Sequence, residues 1–307
     1  MLRLFTHLAC LQHDPGPGHA EQPARLRVVL QALDRDHFSA IDRVEAPRVT
    51  REQLRRVHDE QHIEHILSSS PAEGDTCRLD PDTIMSSGSL EAALRAAGAT
   101  VAAVDTVIGG PTRHAFCAVR PPGHHATPDQ AMGFCLFNNL AVAAAHALAA
   151  HGLKRVAIAD FDVHHGNGTQ AIFEHEPRVM FVSSHQSPLY PGTGGEDEHG
   201  VGNIVNGVLS PGAGSHEFRE LWDGMLLPQL DAFKPQLLLI SAGFDAHASD
   251  PLADIRLGQD DYAWVTERLV ALARKHAEGR IVSSLEGGYD LAALASSARA
   301  HVQALME

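Results

Sequence analysis

The chain is expected to fold as a single α/β domain with a mostly parallel central β-sheet and helices on both faces, and three features of the sequence lead there. Short apolar, often β-branched runs recur at residues 115–119, 156–159, 179–183, 237–241 and 281–285, without the alternation of a half-exposed strand, so they read as strands buried on both faces. Amphipathic or alanine-rich stretches lie between and around them at 89–108, 138–150, 215–231, 259–277 and 290–306, and these read as crossover helices. Regular alternation of the two, joined by right-handed crossovers, returns successive strands to one parallel sheet. No repeat of fixed period and no low-complexity tract divides the chain, so residues 1–307 are taken as one domain, large enough to bury a sizeable core.

Composition narrows the partners. Thirty-eight acidic against 24 basic residues leave a formal charge of -14, which repels nucleic-acid phosphates and anionic lipid and suits a cationic substrate better. Cys10, Cys77, Cys117 and Cys135 are dispersed with no C-x-x-C spacing, in a chain too large to need disulfide staples, and this fits a reducing cytoplasm. His7 interrupts an N-terminal apolar run already too short for a signal peptide, and no other segment is expected to approach a membrane span. Composition leaves open whether the chain acts alone or as a homo-oligomer.

In open parallel sheets ligands bind beyond the carboxyl ends of the strands, and the chemistry-bearing residues of this chain cluster there. The run 156–158 leads without a break into Ala159-Asp160-Phe161-Asp162-Val163-His164-His165-Gly166-Asn167-Gly168. Strand alternation puts Asp160, Asp162 and His164 on one face, two carboxylates and an imidazole in a row, as a metal chelate requires. Acidic residues and histidines at strand ends also cap helices or form surface ion pairs, so the motif gains its meaning from the others. The run 237–241 ends in Ala242-Gly243-Phe244-Asp245-Ala246-His247, and Asp245 can complete a three-ligand set with Asp162 and His164. Such a set leaves coordination positions for water and substrate, the pattern of catalytic zinc.

Beyond 115–119 comes Arg120-Pro121-Pro122-Gly123-His124-His125-Ala126, a tandem histidine on a loop made tight by two prolines and a glycine. Imidazole titrates near neutral pH, so paired histidines beside a metal suit general acid–base work, although a lone histidine here is more often structural. Finally Leu285-Glu286-Gly287-Gly288-Tyr289 presents one of only three tyrosines at another strand end. Its hydroxyl can donate to an oxyanion, or its ring can simply pack against the last helix.

Taken together these motifs resemble the histone deacetylase and acetylpolyamine amidohydrolase superfamily, in a compact bacterial, class II-like form. The resemblance runs from Gly18-His19-Ala20-Glu21 and Arg25 through Gly133-Phe134-Cys135-Leu136-Phe137-Asn138-Asn139 to Gly287-Gly288-Tyr289, almost the whole chain. It implies an arginase/deacetylase-like fold, zinc held by Asp162, His164 and Asp245, and an amide carbonyl polarised by Tyr289. His125 is then the general base oriented by Asn167, and His124 an electrostatic partner supported by Asp160. A neutral Asn167, where some relatives carry Asp, favours unprotonated His125. Gly133, Phe134 and Tyr190 stand where the family walls its acyl-lysine channel, Tyr190 replacing a more usual Phe. Asp82, with Asp80 as a competitor, resembles the rim carboxylate that holds substrate backbone. Arg25 resembles the arginine near the acetate exit, and a K+ site is implied at Asp160, Asp162 and His164 with Ser183 and Ser184. At the N-terminus His19-Ala20-Glu21 replaces the family's His-Pro-Glu, so the entrance loop is expected to differ.

The expected reaction is zinc-dependent removal of an acetyl or other short acyl group from acyl-lysine or a related acylated amine. Two carboxylates and an imidazole also suit Fe2+. Within enzymes the alternative substrate is an acetylpolyamine or other small amide. A two-metal, arginase-like hydrolase is disfavoured by His247, which stands where a further carboxylate is needed. Outside enzymes the alternative is a protein that binds an acylated amine without turnover.

Overall fold

The computed structural model describes residues 2–34 and 38–307. Its strands, in chain order, are β1 (Leu2–Thr6), β2 (Asp42–Glu45), β3 (Thr76–Arg78), β4 (Ile84–Ser86), β5 (His114–Cys117), β6 (Val156–Asp160), β7 (Val179–Gln186), β8 (Ile204–Leu209), β9 (Leu237–Ala242) and β10 (Ile281–Leu285). The α-helices are α1 (Pro23–Ala32), α2 (Arg51–Leu54), α3 (Glu60–Ser68), α4 (Ser89–Gly109), α5 (Asn139–Ala150), α6 (Asn167–Phe173), α7 (Ser215–Leu221), α8 (Leu227–Phe233), α9 (Gln259–His276) and α10 (Leu291–Met306).

Eight strands form one sheet in the order β2-β1-β5-β10-β9-β6-β7-β8, and every neighbouring pair is parallel. The expected parallel α/β sheet is therefore present. Residues of β6, β7, β9 and β10 are buried along their whole length, as strands sandwiched between helical layers must be. Short β3 and β4 pair separately as an antiparallel ribbon.

Local chemistry explains the element boundaries. Asn138 caps α5 by accepting from Ala141 N–H, Asp290 caps α10 by accepting from Ala293 N–H, and Pro23 stands in the first turn of α1, where its missing N–H costs nothing. The single helix expected over 215–231 is instead α7, a π-helical stretch at Trp222–Leu226 and α8, run end to end. α4 corrects another expectation: by length and composition it is apolar enough to cross a membrane. Its apolarity is used inside the protein, where 61% of its most apolar window is buried and it packs on α5 and the sheet.

The strand order fixes the site. β5, β10, β9 and β6 are consecutive neighbours at the middle of the sheet, so the loops leaving their carboxyl ends emerge side by side. Those loops carry the tandem histidine, the Gly-Gly-Tyr segment, Asp245 and the Asp-x-Asp-x-His segment respectively.

Candidate active site

Asp162, His164 and Asp245 converge. His164 Nδ1 lies 3.1 Å from Asp162 Oδ1 and 3.1 Å from Asp245 Oδ2, and the three donor atoms all fall within 4.8 Å of one another. Both carboxylates are essentially sealed from solvent, at 1% and 0% exposure. Burial, and then the negative charge of Asp162, lift Asp245 above the ordinary carboxylate range. Two carboxylates forced together away from water call for a shared cation. Space has been cleared for them: a Cβ on Gly243 would lie 2.1 Å from Asp162 Oδ2, and one on Gly287 2.0 Å from Asp245 Oδ2. Backbone N–H groups fix the outer oxygens, Gly287 donating to Asp162 Oδ2 at 2.8 Å and Val163 to Asp245 Oδ1 at 2.9 Å. The donor set therefore fits a divalent ion of the zinc type.

A second group, Asp105, His146 and His151, has ligand atoms equally close. Arg56 Nη1 lies 2.9 Å from His146 Nδ1 and can only donate, so the ring proton is on Nε2, where it is given to Asp105 at 2.7 Å. A ring in that tautomer has no lone pair for a metal, and the cluster is a hydrogen-bond network around Asp105.

The tandem histidines differ in their surroundings. His124 Nδ1 lies 3.0 Å from Asp160 Oδ2, and Asp160 Oδ1 accepts from Asp162 N–H, so Asp160 ties the loop to the β6 end. Burial alone would lower the His124 pKa, but Asp162 and Asp160 outweigh it and push it up to about 10. His125 Nδ1 lies 2.8 Å from Asn167 Oδ1, which leaves Nε2 as the ring's free lone pair. Burial first, then the neighbouring charge of His124, holds His125 well below the usual imidazole range.

A cavity of about 230 Å³ opens onto these groups, lined by Asp82, His125, Gly133, Phe134, His164, Leu189, Tyr190, Leu252 and Tyr289. Phe134 and Tyr289 meet edge to face at 5.8 Å, and Tyr190 stands edge to face against His125 at 5.1 Å. Phe134 has φ +68°, a left-handed conformation that costs a side-chain-bearing residue about 1 kcal/mol or more, and Thr83 Oγ1 holds it by accepting from its N–H at 3.1 Å. Strain kept at the wall of a cavity is a mark of function. Asp82 lines this cavity; Asp80 instead builds the turn, its Oδ1 accepting from the N–H groups of Asp82 and Thr83.

Tyr289 is held from two sides. Asp250 Oδ2 accepts from its N–H at 2.7 Å, while the Arg25 guanidinium lies over its ring at 4.7 Å. Arg25 donates to Gly288 O at 2.6 Å and Glu286 O at 2.5 Å, and with Arg120 it neutralises buried Glu21. Ser183 and Ser184 are buried on β7, engaged by His185 Nδ1 at 2.9 Å and Trp222 Nε1 at 3.1 Å.

Four contributors escape sequence reasoning. Leu189 and Leu252 are apolar residues in loops, with no periodicity to single them out. Asp250 reads as an ordinary turn residue before Pro251, yet its Oδ1 also accepts from Leu252 N–H at 3.0 Å, so one carboxylate holds both a wall and the phenol loop. Glu286 sits inside a recognised motif without a recognised task.

Comparison with known proteins agrees with this geometry. A family model described as a histone deacetylase domain matches residues 19–305. A histone deacetylase-like amidohydrolase of Pseudomonas aeruginosa is 40% identical over 93% of this chain and 80% of its own. A probable deacetylase of Archaeoglobus fulgidus is 38% identical over 94% of this chain and 81% of its own. Among solved structures, the crystal structure of the HDA15 HD domain superimposes with a TM-score of 0.94 at 35% identity, covering 99% of this chain and 88% of that one.

Proposed function

Because the chain belongs to the histone deacetylase family, whose members hydrolyse amides, we propose that it is a zinc-dependent deacylase that removes an acetyl or other short acyl group from acyl-lysine or a related acylated amine. One observation carries this reading: His164, whose ring joins Asp162 and Asp245 in one donor set, lines the same narrow cavity as His125 and Tyr289. In this reading residues 1–307 work as one catalytic domain in a reducing, cytoplasmic setting.

Asp162, His164 and Asp245 would hold a divalent ion, which when bound would supply Lewis acidity and lower the pKa of the water used. The chain's own groups do the rest. Gly133, Phe134 and Tyr190 enclose the extended acyl-amine stem and exclude bulk water, while Asp82 at the rim accepts from substrate N–H groups. His125, kept neutral with its Nε2 lone pair free, takes a proton from the attacking water. Tyr289 donates from its hydroxyl to the acyl oxygen as negative charge develops there. His124, cationic and pinned by Asp160, stabilises that charge distribution, and a protonated histidine returns the proton to the leaving amine. The short acid is then placed beside Arg25. A K+ ion is assigned to oxygens of Asp160, Asp162 and His164 with Ser183 and Ser184, all buried.

The test is a substrate panel of acetyl-lysine peptide, acetylputrescine and acetylspermidine, run on metal-free protein reconstituted with Zn2+ or Fe2+. Turnover that depends on added metal and falls about 10²–10³-fold in Tyr289→Phe is expected, that being the usual cost of one lost oxyanion donor. Full activity in Tyr289→Phe removes the phenol's role, and tight binding with no product release makes the protein a binder of acylated amines.

A further inference from the structure

Glu286 follows β10 directly and is 1% exposed. Its Oε2 accepts from Gly123 N–H at 2.7 Å and from His124 N–H at 3.1 Å. Its own N–H donates to Ala242 O at the end of β9, and its carbonyl accepts from Arg25 on α1. Oε1 has no hydrogen-bond partner among the described residues.

A carboxylate with an unpartnered oxygen is an expensive way to fill buried space, and a residue needed only for packing would be apolar. Its bonding pattern explains its presence. Pro121 and Pro122 carry no N–H, so Gly123 and His124 supply the first donors after the prolines, and one Glu286 oxygen takes both. The next residue is His125. On the other side of Glu286, Gly287 is bonded to Asp162 and Tyr289 lies three residues on. The side chain and backbone of one residue thus bridge the imidazole loop of β5 and the phenol loop of β10.

We propose that Glu286 is a positioning residue, whose carboxylate fixes the spacing between the His125 imidazole and the Tyr289 hydroxyl across the reacting carbonyl. The proposal rests on the deacylase reading above. What matters is the reach of an acceptor oxygen to two N–H groups. Misplacement of reacting groups by about 1 Å can cost up to 10²-fold in rate.

Reach and charge are separated by two variants of the zinc-loaded full chain. Glu286→Gln keeps an acceptor oxygen at the same distance and loses the charge; Glu286→Asp keeps the charge and withdraws it by one methylene. The expected result is kcat within about threefold of wild type for Gln and about 10–100-fold lower for Asp, with KM and zinc content within twofold in both. Amide hydrogen exchange in the segment 119–126 of the same preparations is expected to accelerate in Asp and stay at the wild-type rate in Gln. Wild-type kcat and exchange in Glu286→Asp overturn the proposal. So does impairment of Glu286→Gln equal to that of Glu286→Asp, which shows that an acceptor oxygen at the same reach does not suffice, or loss of zinc in proportion to kcat, which assigns the effect to the metal. If wild-type protein hydrolyses none of the panel, the deacylase reading falls, and the exchange comparison still decides whether Glu286 holds the histidine loop.

Discussion

His124 and His125 are adjacent in sequence, and their surroundings push their pKa values in opposite directions: Asp162 and Asp160 raise that of His124 against its burial, while burial and the neighbouring His124 lower that of His125. A buried imidazole against a carboxylate is held as the cation, and a buried imidazole against an amide is held neutral. In the proposed mechanism this divides the pair into a charge and a base before substrate arrives. Replacing Asn167 by Asp tests the division. A carboxylate at Nδ1 stabilises the imidazolium, so the His125 pKa rises and more of the base is lost to protonation at a given pH. The acid limb of the kcat/KM profile is expected to move up by about one pH unit or more, measured over pH 5–9 at saturating zinc. An unmoved limb would mean that His125 is not the group whose deprotonation that limb reports.

At the level of strands and loops, the site is built by crowding. Gly243 and Gly287 give the two buried carboxylates room that a single methyl group would remove. Gly243→Ala is expected to lower metal affinity about 10–100-fold, the usual consequence of displacing a ligand's support, as read by competition with a chromophoric chelator. Wild-type affinity in that variant would show that Asp162 does not need its present position. The strands that carry this crowding were the readable ones: β6, β9 and β10 are buried on both faces and so appear as short, mainly apolar runs in which serine is the polar interruption within β9 and β10. Three others were hidden for physical reasons. β2 is an edge strand, Asp-Arg-Val-Glu, whose polar residues face water. β8, at the other edge, is interrupted by Asn206 and Gly207. In β1, Arg3 breaks the short apolar run by pairing with Asp42. Among site residues the metal donors, histidines and phenol could be read because strand periodicity aims them at one edge. Asp250 and Glu286 could not, since their work is done through backbone N–H groups that carry no residue-specific signal.

Across the whole molecule, two buried carboxylates pressed together destabilise the fold unless a cation neutralises them, so the proposed metal site links folding to metal binding. An ion at 100 times its dissociation constant adds about 2.7 kcal/mol to stability. In a chain of this size that corresponds to a rise in Tm of roughly 5 °C. Chelation followed by zinc readdition is therefore expected to lower and then restore Tm by about that amount, followed by calorimetry. A Tm indifferent to chelation would mean that the carboxylates tolerate one another unaided.

β10 is made last of the eight sheet strands yet lies between β5 and β9. It joins two groups of strands, β2-β1-β5 and β9-β6-β7-β8, that have no other neighbour in common in the sheet, so displacing residues 281–289 parts the imidazole loop from the Asp162, His164 and Asp245 loops and takes Tyr289 away from both.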